Sequence, residues 1–460
     1  MRTLMIGKDA SGSPACFSRL SEVTLNSVRE ALPDRAVDQA CRQAGYAYRK
    51  RVLTPVVTVL HMILSALWPE ESFRAGMHLI WSNFVGIFPH LGGHEPTTSG
   101  ATSKARARLP LEVWRRILDD LSGRAQQLSE PLASWRGHRV VLVDGTCVSM
   151  PNLPELHEHF GTATGRGRPR IYPLARMVTL SLAHTMVVIA YALGHYRDSE
   201  QKLLRSIRDR LRPGDLLVAD RHFAGANLYA EYQAAGLNFL TRAHQALKIS
   251  RLKPLVGYGP DDFVTDLKVG DRYRREDPNL PAKIRVRLIQ ASVVTRSRRE
   301  VMWFVTSLWD VEAYPAAELV ELYARRWRIE TLFLHLKRRL SADVLRSKSV
   351  EGVGKELASC VAALNVVRTL MLQAALACGQ DPMRLSFVGA LRTILSFAPL
   401  IAAAAPWKLP EMRRAMLTQI ALQIAPYRPG RQEPRAVRRE WKHYPKLKST
   451  RQQWRNLWAA

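Results

Sequence analysis

Cysteine is scarce in this chain and scattered: Cys16, Cys41, Cys147, Cys360 and Cys378 are the only five in 460 residues, and no two form a C-x-x-C pair. That spacing excludes a zinc knuckle or a disulfide framework and suits a reducing, cytoplasmic setting. Long apolar runs are also missing. Residues 177–193 are interrupted by His184 and Thr185, and residues 388–405 contain Arg392 and Pro399, so neither reads as a membrane span. The opening MRTLMIGKDASGSP turns polar before a secretory leader could form. There is no internal repeat and no low-complexity tract. The glycines of residues 165–170, GRGRPR, lack the spacing of a phosphate-cradling loop and suit a flexible basic loop touching DNA. These absences leave a soluble, cytoplasmic globular protein as the expectation.

Acid is the other shortage. Forty Asp plus Glu stand against 68 Lys plus Arg, a net charge of +28. Each phosphate neutralised by Lys or Arg releases condensed counterions, so the surplus points to nucleic acid ahead of an anionic membrane surface. At 460 residues with 47% apolar content the chain is expected to fold into two or three packed units.

Residues 1–125 read as a helical region, with Val56, Val59, Leu60, Ile63, Leu64 and Leu67 at helical spacing. Within it, Lys104, Arg106 and Arg108 open a helix that suits DNA contact, and equally a solvated basic face. Residues 126–240 change pattern. The apolar run 140–143 ends at Asp144, strands are expected at 177–183 and 186–193, a helix at 200–211, and a second apolar strand at 216–219 ends at Asp220. Residues 241–307 lose the helical signal and read as a β-rich insertion, with Ile284, Val286 and Leu288 alternating with Arg285 and Arg287. Residues 308–380 return to helix, at 315–340 and 357–376. Residues 381–460 end in a stretch, 427–460, with ten Lys plus Arg and two Glu interleaved with Tyr427, Trp441, Tyr444, Trp454 and Trp458, which suits a strand-tracking DNA arm.

Two buried strands that finish in aspartate put acids where open α/β sheets place their chemistry. Two neighbouring carboxylates repel unless cations lie between them, and magnesium or manganese, which favour oxygen ligands, would relieve this. The alternative is that Asp144 and Asp220 cap turns. On the helix expected at 315–340, Tyr323, Arg326, Glu330 and Lys337 fall on one stripe roughly 60° wide at about 100° per residue. Leu322, Ile329, Phe333, Leu336 and Leu340 occupy the adjoining apolar face, and Arg325, Arg328 and Arg339 the far, solvated side. The pair His157 and His159 lacks a third metal partner and reads as surface, and Trp303 reads as core packing rather than a base-stacking platform.

Tyr, two residues, Arg, three residues, Glu, six residues, Lys is the YREK pattern, and Tyr323, Arg326, Glu330 and Lys337 match it. With Asp144-Gly-Thr146 and Asp220-Arg-His-Phe223 ahead of it, the chain resembles the bacterial DDE transposases of the insertion-sequence-four family, from about residue 45 to the basic tail. The resemblance implies an α/β fold: a ribonuclease H-like catalytic domain with a β-rich insertion, an N-terminal helical DNA-binding domain and a basic C-terminal tail. It implies that Asp144, Asp220 and Glu330 hold two magnesium ions, manganese being a substitute, while Tyr323, Arg326 and Lys337 grip phosphates near the cut. The implied partners are double-stranded DNA, at transposon terminal inverted repeats and at the target, and a second copy of the chain. A nuclease on the same fold without strand transfer, or an inactive DNA-binding relic, are the alternatives.

Overall fold

The structure is a computed structural model, describing residues 31–68 (except 50), 88–132 (except 96), 134–163, 172–294, 299–402 and 406–426, with Arg29 and Trp81. The basic tail 427–460 and the loop 165–170 lie outside the described residues. The chain divides into two units, Met1–Ser292 with Val301–Ala425, and Val293–Glu300 with Pro426–Ala460. The core and the candidate site both belong to the first.

Helices α1 (Asp34–Gln43), α2 (Pro55–Leu67), α3 (Ser99–Arg108) and α4 (Leu111–Ser129) come first. Next are β1 (Ser134–Trp135), β2 (His138–Ser149), α5 (Pro154–Phe160), β3 (Leu174–Leu182), β4 (Val188–His195), α6 (Glu200–Arg205), β5 (Leu216–Ala219), α7 (Ala226–Ala234) and β6 (Asn238–Arg242). The stretch with no helical signal holds β7 (Val256–Gly259), β8 (Asp262–Lys268), the short α8 (Asp271–Glu276), β9 (Lys283–Val294) and β10 (Arg299–Thr306). Helices α9 (Ala316–Ala324), α10 (Arg328–Leu334), α11 (Val350–Ala377), α12 (Phe387–Ala402) and α13 (Leu409–Leu422) follow.

The strands form one mixed sheet in the order β4-β3-β2-β5-β6-β10-β9-β8-β7, with β1 pairing β2 at its start. β3 pairs antiparallel with β2 and β4 antiparallel with β3, whereas β5 and β6 run parallel to β2. β10 pairs antiparallel to β6, so the β-rich stretch lengthens the same sheet. The strand expectations at 177–183 and 186–193 correspond to β3 and β4. The helix expected at 200–211 stops at Arg205, because the amide of Ser206 bonds the carbonyl of Leu203 and tightens the last turn.

Alternation along the strands assigns the two faces. Val141 and Val143 of β2, with Leu217 and Ala219 of β5, join a core that includes Leu203 and Leu204 of α6 and Leu228, Tyr229 and Tyr232 of α7. Asp144 and Asp220 have the opposite parity and look to the other face. The helical layer is organised by α11, whose residues 353–372 are all buried. By length and composition α11 would cross a membrane, a property the apolar-run reading missed, but it is wrapped by α2, α4, α12 and α13. A helix apolar all round needs such cover. Helices from both ends of the chain therefore share one core, and the N-terminal helices do not stand apart from the sheet.

Sheet and helical layer are pinned by Asn365. Its side chain is fully buried, accepts from the amide of Val188 at 2.9 Å and donates to the carbonyl of Val188 at 2.9 Å, where β4 begins. Removing the amide leaves a buried backbone donor and acceptor without partners. Asn365→Ala should lower unfolding free energy by about 2–4 kcal/mol, read from the shift in urea midpoint at unchanged slope. A change below about 0.5 kcal/mol would mean that water replaces the amide.

Candidate active site

The parallel register of β2 and β5 builds the site. Val143 pairs with Ala219, so the next residues, Asp144 and Asp220, lie side by side. There the strands part: β2 continues to Ser149 against β3, while β5 ends. The Asp144 side chain is 18% exposed and that of Asp220 22%. Asp220 is also a turn cap, as the alternative reading allowed, because its carboxylate accepts from the amide of His222 at 2.8 Å and lies 3.0 Å from His222 Nδ1. Burial, and then the charges of Asp220 and Glu200, push Asp144 up to about 6, against the pull of Arg326 and the Gly145 amide.

The helix expected at 315–340 is not one regular α-helix. It runs as α9, a 3-10 turn at Arg325–Trp327, α10, and a π turn at His335–Arg339. The 100° wheel therefore does not carry through to Lys337, since a π turn adds a residue to the ring. Tyr323 is buried with its ring 4.7 Å from Phe304, and Arg326 is 6% exposed. The Arg326 guanidinium stacks 4.7 Å from Trp327 and 5.7 Å from Tyr323 and donates to Asp144 Oδ2 at 3.1 Å. Arg326 thus faces the first aspartate, not open solvent.

Glu330 is half-buried on α10, which packs on β2, and makes no hydrogen bond or ion pair with the described residues. Lys337 is half-buried with no ion pair among the described residues; burial lowers its pKa, and Cys147 of β2 is among its neighbours. After the π turn the chain rejoins β2: the Ser149 amide donates to the carbonyl of Asp343, and the Leu345 amide donates to that of Ser149. That return ties the carrier of Glu330 and Lys337 to the strand that carries Asp144.

The structure separates the three cations of α3. Lys104 and Arg108 are exposed, but Arg106 turns inward, where burial lowers its pKa. It donates to Ser347 Oγ at 3.3 Å, beside Lys355 of α11, whose buried ammonium donates to the carbonyls of Arg106 and Ala107 at 3.2 and 2.9 Å. Glu356 completes the joint by accepting from the amides of Arg346 and Ser347. Arg328 also departs from the solvated-face reading: it is half-buried and reaches the carbonyl of Ala183 at 3.4 Å. His157 bonds Asn152 at 2.6 Å, and Trp303 packs edge-on against Phe263 at 5.9 Å.

Glu200 is an acid that the strand-end pattern did not single out. Its charge raises the pKa of Asp144, and its own pKa is raised by burial, with Asp220 adding to the rise and Arg176 and His222 opposing it. Among the described residues no three His, Cys, Asp or Glu side chains converge on a single ion position. The donors still suit a divalent cation of the magnesium type, which keeps several waters and takes one or two carboxylates with substrate phosphates. Asp144 and Asp220 are adjacent oxygen donors, and burial disfavours the Asp144 anion despite its ion pair with Arg326.

Residues 135–366 match the transposase DDE domain, half of the chain. The chain belongs to the DDE transposase family. It is 26% identical, over 91% of its own length and 93% of the relative's, to the Escherichia coli K12 transposase InsG for insertion sequence element IS4. A putative E. coli transposase, InsZ, is 27% identical over 30% of this chain and 46% of its own. The cryo-EM structure of a piggyBac transposase synaptic complex with hairpin DNA aligns at TM-score 0.43 and 10% identity, covering 89% of this chain and 87% of that one. The protein is accordingly a DNA transposase, a family that works with divalent metal.

The strain on Asp144 has a sign that can be tested. Its folded pKa of about 6 exceeds the ordinary 3.8, so the folded state binds the proton more tightly and metal-free stability falls as pH rises from about 4 through 6. An asparagine at this position would keep an oxygen for Arg326 without the charge. In chelator above pH 6, Asp144→Asn should be more stable than wild type by up to about 3 kcal/mol, the gap narrowing toward pH 4. Identical pH profiles in urea titrations would show that Asp144 carries no strain.

Proposed function

We propose that this transposase cuts DNA at the ends of its element and joins them to target DNA, using two magnesium ions held by Asp144, Asp220 and Glu330, with manganese able to substitute. The observation that carries this reading is the end of the in-register pairing of β2 with β5, which sets two half-buried carboxylates side by side on the face lined by Arg326. The strand order β4-β3-β2-β5-β6, three antiparallel strands and then two parallel to β2, supports a ribonuclease H-like core. The insertion before the glutamate would be residues 241–307, with an N-terminal DNA-binding region at 1–125 and a DNA-binding tail at 427–460.

When bound, the ions supply activation of the attacking hydroxyl and stabilisation of the leaving oxygen in an in-line displacement. The chain's own groups orient the reactants. Arg326, stacked between Tyr323 and Trp327, fixes the Asp144 carboxylate through Oδ2 and leaves Oδ1 to the amide of Gly145. Glu330 is a carboxylate with no competing partner among the described residues, one helical turn beyond Arg326. Lys337, an ammonium without an ion pair beside the same strand, would hold a backbone phosphate. The partner would be duplex DNA carrying the terminal inverted repeats, bridged by two copies of the chain and encountered on the nucleoid. Exposed Lys104 and Arg108 are suited to backbone contact, whereas Arg106 serves the joint with α11.

Asp220→Asn and Glu330→Gln should each abolish magnesium-dependent cleavage of an end-bearing duplex while keeping end binding. Cleavage that persists in either variant removes that residue from the site. Transfer of the cut 3′ end to a target plasmid by the wild-type chain is the further expectation, and cleavage without joining would leave a nuclease.

Lys337→Ala should stay within about 0.5 kcal/mol of wild-type stability yet lose cleavage by on the order of a hundredfold, the effect of a phosphate misplaced by about 1 Å. Lys337→Arg should recover part, because a planar fork does not replace a compact ammonium. Near-normal cleavage by the alanine variant would refute the phosphate role.

A further inference from the structure

We propose that Glu200 is a further acidic residue of the catalytic centre, standing over Gly145 beside the end of β5 to hold the water shell of the cation at Asp144 and Asp220. The inference rests on the metal-site reading above and extends it to the opposite face of the sheet.

Gly145 has the parity of Val141 and Val143, so it looks toward α6, not toward Arg326. A Cβ at this position would overlap the Glu200 carboxylate, which fills the space where β2 has no side chain. Glycine here is required by the approach of that acid, since the backbone φ of Gly145 is not in the left-handed range. α6 is held in place for the task. Ser199 accepts from the Lys202 amide at 3.1 Å at its start, and Gln201 donates to the carbonyl of His222 at 2.9 Å, which ties α6 to the turn capped by Asp220.

The Glu200 side chain is 21% exposed and accepts no hydrogen bond from the described residues. His222 Nδ1 lies 4.0 Å from it, and the same nitrogen lies 3.0 Å from Asp220 Oδ2. A half-buried carboxylate without donors is unfavourable unless a cation or its water reaches it. Arg176 of β3, whose charge favours the ionised form of Glu200, stacks on Tyr196 at 5.5 Å and makes no salt bridge to it. A purely structural acid would be expected to close on Arg176 or to cap α6, and Glu200 does neither. A magnesium-type ion bound directly by two carboxylates retains waters that a third can accept from.

Full-length wild type, Glu200→Gln, Gly145→Ala and Asp144→Asn are titrated with Mn2+ alone, following free Mn2+ by its paramagnetic resonance signal. Partners that act through a metal's bound groups contribute about 10- to 100-fold to affinity, so Glu200→Gln should weaken Mn2+ binding by about tenfold or more. Gly145→Ala should do the same by displacing an intact Glu200. With DNA, the Mn2+ concentration giving half-maximal cleavage should rise by the same factor in Glu200→Gln. Wild-type Mn2+ affinity in Glu200→Gln together with lost affinity in Asp144→Asn would overturn the role of Glu200 and leave the metal site standing. Unchanged affinity in Asp144→Asn as well would overturn the metal site itself.

Discussion

Parallel pairing of β2 with β5 is the constraint on which the rest of the site depends. In-register pairing that stops at Val143 and Ala219 places Asp144 and Asp220 side by side, mostly shielded from water. The charge of Asp220 helps to raise the pKa of Asp144, and the sheet cannot relax the two apart because Val141 to Val143 are buried and paired on both sides. The fold therefore stores an electrostatic demand for positive charge at one end of its central strands. In the free chain Arg326 meets part of that demand.

The remaining architecture keeps the responding groups near that end. α11 gathers helices from before and after the sheet around one apolar axis, and Asn365 fastens it to β4. The segment after the π turn pairs with the far end of β2 at Ser149, which keeps α10 and Lys337 along the strand that bears Asp144. The polar joint of Arg106, Lys355 and Glu356 anchors α3 to the same axis.

Some of this was legible in the amino-acid order and some was not. The strand-end aspartates were readable because a short apolar run closed by an acid has few other placements in an α/β protein. The YREK spacing was readable because it is a count along the chain. The wheel drawn through it failed at Lys337, since a π turn changes the angle per residue and leaves no mark in composition. Arg328 was read as solvent-facing from its periodicity and Arg106 as a DNA contact or part of a solvated basic face, yet each has a distant carbonyl or hydroxyl to bond, supplied by Ala183 and Ser347.

By itself, the sequence determined the chemistry of the donors, the family pattern in which they stand, and the strands and helices that carry most of them. Those properties depend on local spacing and residue type. Only the tertiary structure decided which groups meet: that Arg326 turns to Asp144, that α11 is a core helix despite its length and apolarity, and that Glu200 enters at Gly145 from the opposite face. The 54 residues between Gly145 and Glu200 hold no local signal of their meeting. It arises from strand order and from the absence of one Cβ, and neither has a periodicity to read.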